Sequence, residues 1–261
     1  MPDSLFHVGA YKASAIEYEY IYYSAADNVV KTKALLGKSA SLKKLGLFSE
    51  SVKSLERVRF DGLPDSIAYA VLYETALCAY ITMDFGYAES QLLQMQLYIN
   101  DTALKNAALP LFVMVLNEQK KWKEAENKLE SCILKSKNVN ISKDSIIRTV
   151  RSVYIDTPRV VNVNKAAKMS SFIPGSGQIY LGYWSEGLVN ATLQLGSVAF
   201  IGYNLISAQY FTAITLGTGI LQRFYVGGIN RVKYLGNKKN DQMVRKFNDH
   251  VKKIIIQISP S

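Results

Sequence analysis

The segment Ser170–Leu205 reads SSFIPGSGQIYLGYWSEGLVNATLQLGSVAFIGYNL, and the interpretation of the whole chain depends on it. It begins with a Pro-Gly-Ser-Gly turn, and a long apolar run follows. From Gly187 to Gln222 the chain has no Asp, Glu, Lys or Arg. The glycine turn is therefore either the phosphate-binding loop of an enzyme or the point where a chain turns into a lipid bilayer.

The glycine turn lacks the residues that bind a nucleotide. A phosphate-binding P-loop needs a Lys-Ser/Thr pair after its last glycine, and this chain has Gln178 and Ile179 there. A dinucleotide-binding loop needs a third glycine at the position of Tyr180. We therefore expect no nucleotide site and no cofactor-binding residue.

The charge-free stretch predicts a transmembrane helical hairpin. A short polar step, Ser207–Gln209, divides it into the runs Gly187–Ile206 and Tyr210–Gln222. The first run has the length of a bilayer span. Asn190 and Gln194 share one helix face, so their amides are expected to bond inward, between the two helices. The alternative is a buried helical pair inside a soluble domain.

Two short motifs flank this hairpin. The first consists of Pro174, Gly175, Gly177, Gln178, Tyr180 and Gly182, and the second of Arg223, Phe224, Tyr225, Gly227, Gly228 and Arg231. Together they resemble a group of small bacterial two-helix membrane domains with a PGxGQxY signature, whose role is largely uncharacterised. In this interpretation the glycines let the backbone turn, and Gln178 bonds backbone groups that the turn leaves free.

Four stretches in the first half of the chain repeat one pattern. Each has an aromatic residue, with a small residue three positions later. The aromatic residues are Tyr11, Phe48, Tyr87 and Trp122, and the small residues are Ser14, Ser51, Ser90 and Ala125. In a helical hairpin the aromatic ring fills the gap between the helices, and the small residue lets them approach closely. Glycines that precede three of the aromatic residues, Gly9, Gly46 and Gly86, are expected to form the turns.

This pattern resembles the tetratricopeptide repeat, a helix–turn–helix unit with a period near 34 residues. It predicts first helices at 31–45, 64–83 and 101–118, and second helices at 11–23, 49–58, 87–98 and 122–135. Such repeats ahead of a membrane domain are typical of Bacteroidota. The resemblance implies a helical solenoid with a concave protein-binding face. An irregular helical bundle is the alternative.

An early group of tyrosines, Tyr18, Tyr20, Tyr22 and Tyr23, is available either for partner contacts or for helix packing.

The positive charge is concentrated near the C-terminus. The net charge is +10, and residues 223–253 contain nine Lys or Arg against two Asp. Residues 237–257 form a basic amphipathic pattern whose apolar stripe includes Phe247 and Val251. This helix either contacts anionic lipid headgroups or packs on the repeats. Nucleic-acid binding is less favoured, because no recognised reading motif accompanies the charge.

No arrangement of residues predicts catalysis. The two histidines, His7 and His250, lack the spacing of metal ligands, and Cys78 and Cys132 are expected to be free thiols in helices. We expect neither an enzyme nor a metal or cofactor site.

The sequence therefore predicts an all-α protein with four segments. These are tetratricopeptide-like repeats at 1–157, a linker at 158–169, a two-helix membrane domain at 170–233, and a basic amphipathic helix and tail at 234–261. We expect a membrane-anchored scaffold that binds a protein or peptide, as an accessory factor of an envelope or membrane-protein assembly complex. The alternative is a nucleic-acid or anionic-surface binder. If a signal peptide precedes Met1, the repeats would lie in the periplasm on the inner membrane; otherwise they would face the cytoplasm.

Overall fold

The computed structural model describes residues 1–135 and 143–258, and no strand occurs in these ranges. The predicted all-α class is therefore what the structure shows. The chain divides into two compact units, Met1–Thr157 with Asn248–Ser261, and Pro158–Phe247. The tail at 259–261, which was included in the predicted C-terminal segment, lies outside the described residues.

The first unit is a series of helices in which most consecutive members pack against each other. They are α1 (Pro2–His7), α2 (Tyr11–Ser24), α3 (Asn28–Lys44), α4 (Phe48–Leu55), α5 (Asp65–Ile81), α6 (Phe85–Tyr98), α7 (Thr102–Ala107), α8 (Leu109–Glu118), α9 (Trp122–Lys135) and α10 (Lys143–Ile155). The predicted second helices correspond to α2, α4, α6 and α9. The prediction of one helix over 101–118 is wrong, because the helix is interrupted at Ala108. Pro110 then stands in the first turn of α8, where its missing N–H costs nothing.

The turns between these helices use glycine less consistently than the sequence predicts. Gly46 has a φ of +75° in the turn between α3 and α4, as expected for a left-handed turn residue. Before α6, however, the left-handed residue is Met83, with a φ of +64°, whereas Gly86 lies inside the helix. The expectation that Gly86 forms this turn is wrong. The Asp84 carboxylate begins α6 instead, by accepting a hydrogen bond from the Tyr87 amide at 3.1 Å.

One core cluster of the first unit joins the three consecutive helices α3, α4 and α5. Leu35, Leu55 and Val71 are almost fully buried together, and Tyr22 and Phe60 pack against them. Burial of each such aliphatic side chain contributes about 1.5–3 kcal/mol to the stability of the unit.

The C-terminal residues Asn248–Ile258 belong to the same unit as residues Met1–Thr157. Val251 and Ile254 are buried, and Asn248 Nδ2 donates a hydrogen bond to Glu118 Oε1 at 2.7 Å. Lys252 and Lys253 remain exposed. This part of the amphipathic helix therefore packs on the helices of the first unit, in agreement with one of the two predicted alternatives.

The second unit begins inside the predicted linker, because α11 starts at Val163. Its elements are α11 (Val163–Phe172), α12 (Ser176–Tyr180), α13 (Trp184–Ile206), α14 (Tyr210–Thr212), a π-helical turn (Ala213–Gly217) and the first part of α15 (Thr218–Ile258). Ala166, Ala167, Leu181, Val232 and Leu235 form its core. Asn240 holds the chain before α11, because its amide accepts from Val161 N at 2.8 Å and donates to Val161 O at 3.0 Å.

The predicted transmembrane hairpin requires a correction. In the two described ranges, no helix combines the length and the apolar character that crossing a bilayer demands. The amides of Asn190, Gln194 and Asn204 lower the hydropathy of α13. The second predicted run is divided between α14, the π-helical turn and α15, which carries charge from Arg223 onward. This finding contradicts the transmembrane hairpin, the membrane anchoring and the membrane location inferred from it.

Candidate functional site

The glycines of the first motif are required by close backbone contacts in the second unit. Gly175 has a φ of +82°, and a Cβ atom at this position would lie 2.1 Å from Gly187 O. A Cβ atom on Gly177 would lie 2.2 Å from Ala166 O. Both positions exclude a side chain, so these glycines bring α12 against its neighbours. Pro174 directly precedes them, between α11 and α12.

Gln178 is the centre of a buried hydrogen-bond network. Its side chain is 1% exposed. Ser170 Oγ donates to Gln178 Oε1 at 3.0 Å and accepts from the Gly177 amide at 2.9 Å. Gln178 Nε2 donates to Gly228 O at 3.3 Å. The two motifs, distant in sequence, are thus in direct contact.

Other motif residues occupy the periphery of the same unit. Arg231 donates two hydrogen bonds to the Glu186 carboxylate, at 2.7 and 2.9 Å, and these bonds lower the pKa of Glu186. Tyr225 OH donates to Ser171 O at 3.3 Å. The Lys165 ammonium lies 5.5 Å from the ring centre of Tyr180.

A cavity of about 360 Å³ lies between α13 and α15. Its walls include residues of the second motif, namely Arg223, Phe224, Gly227, Gly228 and Arg231, together with Gln178. Gly228 closes it against Asn190, because a Cβ atom there would lie 2.5 Å from Asn190 Nδ2. That nitrogen is buried and has no hydrogen-bond partner among the described residues. Gly182 has a φ of +89° in the turn between α12 and α13.

The residues of the predicted repeat pattern lie at helix starts and helix contacts in the first unit. The aligned aromatic residues Tyr11, Phe48, Tyr87 and Trp122 are all half-buried and stand at or near the first residue of α2, α4, α6 and α9. Of the small residues, Ser14, Ser51 and Ala125 are fully buried and Ser90 is half-buried. Ser51 Oγ and Ser39 Oγ share a hydrogen bond at 2.6 Å between α3 and α4.

The early tyrosines divide into two groups with different surroundings. Tyr18 packs against Gly37, where a Cβ atom would overlap its ring, and Tyr22 packs against the Leu35 cluster. Tyr20 and Tyr23, in contrast, are 71% and 73% exposed. Tyr18 and Tyr22 stand four residues apart and Tyr20 and Tyr23 three apart, so helical periodicity places each pair on its own face of α2.

Tyr20 and Tyr23 line a groove between α2, the end of α3, and α4, which we call the α2–α4 groove. It has a volume of about 740 Å³. Its lining consists of Lys12, Ala15, Ile16, Glu19, Tyr20, Tyr23, Lys38, Leu42, Leu45, Leu47 and Glu50. Ala15 and Leu42 are buried, whereas Ile16, Leu45 and Leu47 are exposed.

One ion-pair cluster stabilises the wall of the groove. Glu19 accepts hydrogen bonds from Lys38 Nζ and Arg57 Nη1, both at 2.8 Å. Partial burial of Glu19 opposes its ionisation, but these two cations lower its pKa overall. The Arg57 guanidinium also lies 4.1 Å from the ring centre of Tyr22. The wall of α2 is therefore held in a fixed position beside the exposed tyrosines.

Metal chemistry finds no support in the described ranges. Within residues 1–135 and 143–258, no group of three or more His, Cys, Asp or Glu side chains is arranged to hold a metal ion. The thiols of Cys78 and Cys132 are free, and burial raises the pKa of each. No family model, curated protein or solved structure matches this sequence.

Proposed function

We propose that the first unit is a protein-interaction scaffold that binds an amphipathic helix of a partner protein in the α2–α4 groove. The observation that carries this proposal is the exposure of Ile16, Tyr20 and Tyr23, each more than 60% exposed, around a buried floor of Ala15 and Leu42. Aromatic anchors in a partly preformed apolar groove are the residues that dominate binding energy in protein interfaces.

The spacing of the groove residues sets the length of the ligand. Along α2 the groove is lined at Lys12, Ile16, Glu19 and Tyr23, at intervals of three or four residues. These residues form one stripe that runs about 16 Å along the helix. A partner helix of about three turns matches this length.

A helical ligand suits this groove better than an extended one. The groove walls are helices, whose backbone groups are bonded internally, so they offer no edge for an added strand. An extended peptide would bring unpaired N–H and C=O groups against a largely apolar lining, which is costly. A helix bonds its own backbone and presents only side chains.

The charged residues at the rim give the ligand an orientation. Lys12 and Glu50 are exposed at the rim, on α2 and α4 respectively. Exposed ion pairs contribute little affinity, but they select partners of complementary charge and fix their direction. We expect the partner helix to carry charges of both signs beside its apolar stripe.

Site-specific photo-crosslinking tests this proposal in the cells that produce the protein. A benzophenone amino acid is placed at Tyr20 or Tyr23, and in the control at Leu97 of α6, which is 82% exposed but outside the groove. The crosslinked segment of the partner is identified by mass spectrometry and synthesised as a peptide. We expect an amphipathic helix of about three turns.

The affinity of the purified chain for that peptide is then measured as the second test of the proposal. Tyr20→Ser with Tyr23→Ser should weaken binding at least tenfold, whereas Leu97→Ser should leave it unchanged. The proposal fails if the control position crosslinks the same segment, if positions 20 and 23 give no crosslink, or if the double variant binds as tightly as the original chain.

A further inference from the structure

The second unit has an unusual distribution of polar and apolar side chains. Between Gly187 and Gln222, fourteen large apolar side chains are exposed, among them Ile206 at 89% and Phe211 at 80%. We call the surface that they form the apolar hairpin surface. Most domains of this size bury such residues, and contiguous apolar patches on monomers rarely exceed about 300–600 Å².

The polar side chains of α13 point in the opposite direction. Gln194, Ser197 and Asn204 are buried, and so is the amide nitrogen of Asn190. Gln194 Nε2 donates to Asn190 Oδ1 at 3.1 Å, and Asn204 Nδ2 donates to Phe200 O at 2.8 Å. These amides bond within the hairpin, so the exposed surface of α13 is formed mainly by apolar side chains.

The apolar hairpin surface contains both ridges and notches. Leu195, Val198 and Tyr203 project from α13, whereas Gly196 and Gly202 lack side chains; among the described residues, a Cβ atom at either position would have no side chain or other helix within 4 Å. Helices pack when the side chains of one enter the grooves of the other. A surface that carries both features is suited to packing against a copy of itself.

The size and charge of the surface also favour a second copy. At roughly 100 Å² for each exposed side chain, about eight of the fourteen facing a partner would supply the about 800 Å² per partner of a stable interface. The stretch from Gly187 to Gln222 carries no charge, so two copies face each other without repulsion. Two-fold self-association uses the same patch on both subunits and closes without further growth.

We infer that the protein forms a homodimer through the apolar hairpin surface, with α13 of one copy packed on the hairpin of the other. This interface is separate from the α2–α4 groove, so the inference does not depend on the proposed function. It makes the scaffold bivalent, because each dimer carries two grooves.

Sedimentation equilibrium of the purified full-length chain tests the inference. We expect a dimer with a dissociation constant in the low micromolar range or below. Leu195→Glu combined with Ile214→Glu should raise this constant at least 100-fold. The control Gln242→Glu adds the same kind of charge at an exposed polar position of α15 and should leave it unchanged.

The circular dichroism spectrum should be the same for the original chain and both variants, which separates loss of dimerisation from loss of folding. The inference is overturned if the original chain is still monomeric at a protein concentration of about 100 µM. It is equally overturned if the chain is monodisperse only with bound detergent or lipid, or if another protein occupies the surface in place of a second copy.

Discussion

Gln178 Nε2 donates a hydrogen bond to the carbonyl oxygen of Gly228 at 3.3 Å, across fifty positions of sequence. The other end of the same amide accepts a hydrogen bond from Ser170. One buried side chain thus links α11, α12 and α15. A buried side chain that bonds polar atoms on two other helices resists replacement, since an apolar substitute leaves those atoms without partners.

Gln178→Leu should therefore destabilise the second unit by about 1–3 kcal/mol. The control Gln242→Leu, at an exposed position of α15, should change stability by less than about 0.5 kcal/mol. The chain has two tryptophans, Trp122 in the first unit and Trp184 in the second. Urea unfolding followed by Trp184 fluorescence, in a Trp122→Phe background, reports the second unit selectively. Equal unfolding midpoints for both variants would contradict the structural role of Gln178.

Two glycines of the motifs should respond in opposite ways to alanine. Gly175→Ala places a Cβ atom against Gly187 O in a left-handed backbone, so we expect a loss of about 2–4 kcal/mol. Gly227→Ala lies in α15 with open space around the new methyl group, so a gain of about 0.5–1 kcal/mol is expected. The same Trp184 unfolding curves measure both. A tolerated Gly175→Ala would show that α12 and α13 do not approach as closely as described.

The positions of many helices could be predicted from the sequence, because their signals are local. The aligned aromatic residues mark the starts of α2, α4 and α9, and a small residue follows each at the helix contact. The exceptions also have local causes. Met83 takes the left-handed turn where a glycine was expected, since the Asp84 cap already fixes the start of α6.

The arrangement of the second unit could not be predicted in the same way. The contact between Gln178 and Gly228 depends on how α12 meets α15, and no local pattern encodes it. The absence of charge between Gly187 and Gln222 favoured a bilayer span, but the amides within α13 reduce its apolar character below what a span requires. Likewise, the exposure of Tyr20 and burial of Tyr22 follow from neighbouring helices rather than from residue type.

Alkaline pH should weaken the first unit through Tyr80. Burial, and then the nearby Glu118 carboxylate, raise the pKa of Tyr80 from 10.0 to about 12. Folding therefore favours the protonated phenol. This contribution to stability is fully present below pH 10 and is lost as the pH rises through 12. In Tyr80→Phe we expect a smaller loss of stability between these values.

Absorbance of tyrosinate at 295 nm provides the measurement for this prediction. The original chain should show a late ionisation step near pH 12, and Tyr80→Phe should reduce its amplitude. Tyr20→Phe, at an exposed position of α2, serves as the control that removes one tyrosine elsewhere in the first unit. An unchanged late step in Tyr80→Phe would rule out the raised pKa.

The C-terminal helix should be essential for the stability of the first unit, although it is distant from the repeats in sequence. Val251 is fully buried, and its segment joins Met1–Thr157 in one compact unit. Val251→Asp buries an unpaired carboxylate, so we expect a loss of about 3 kcal/mol or more. Gln257→Asp introduces the same charge at an exposed position and should have little effect. Unfolding followed by Trp122 fluorescence, in a Trp184→Phe background, reports the first unit. If Val251→Asp leaves the Trp122 transition in place, the basic helix does not pack on the repeats, and its apolar stripe must bind elsewhere.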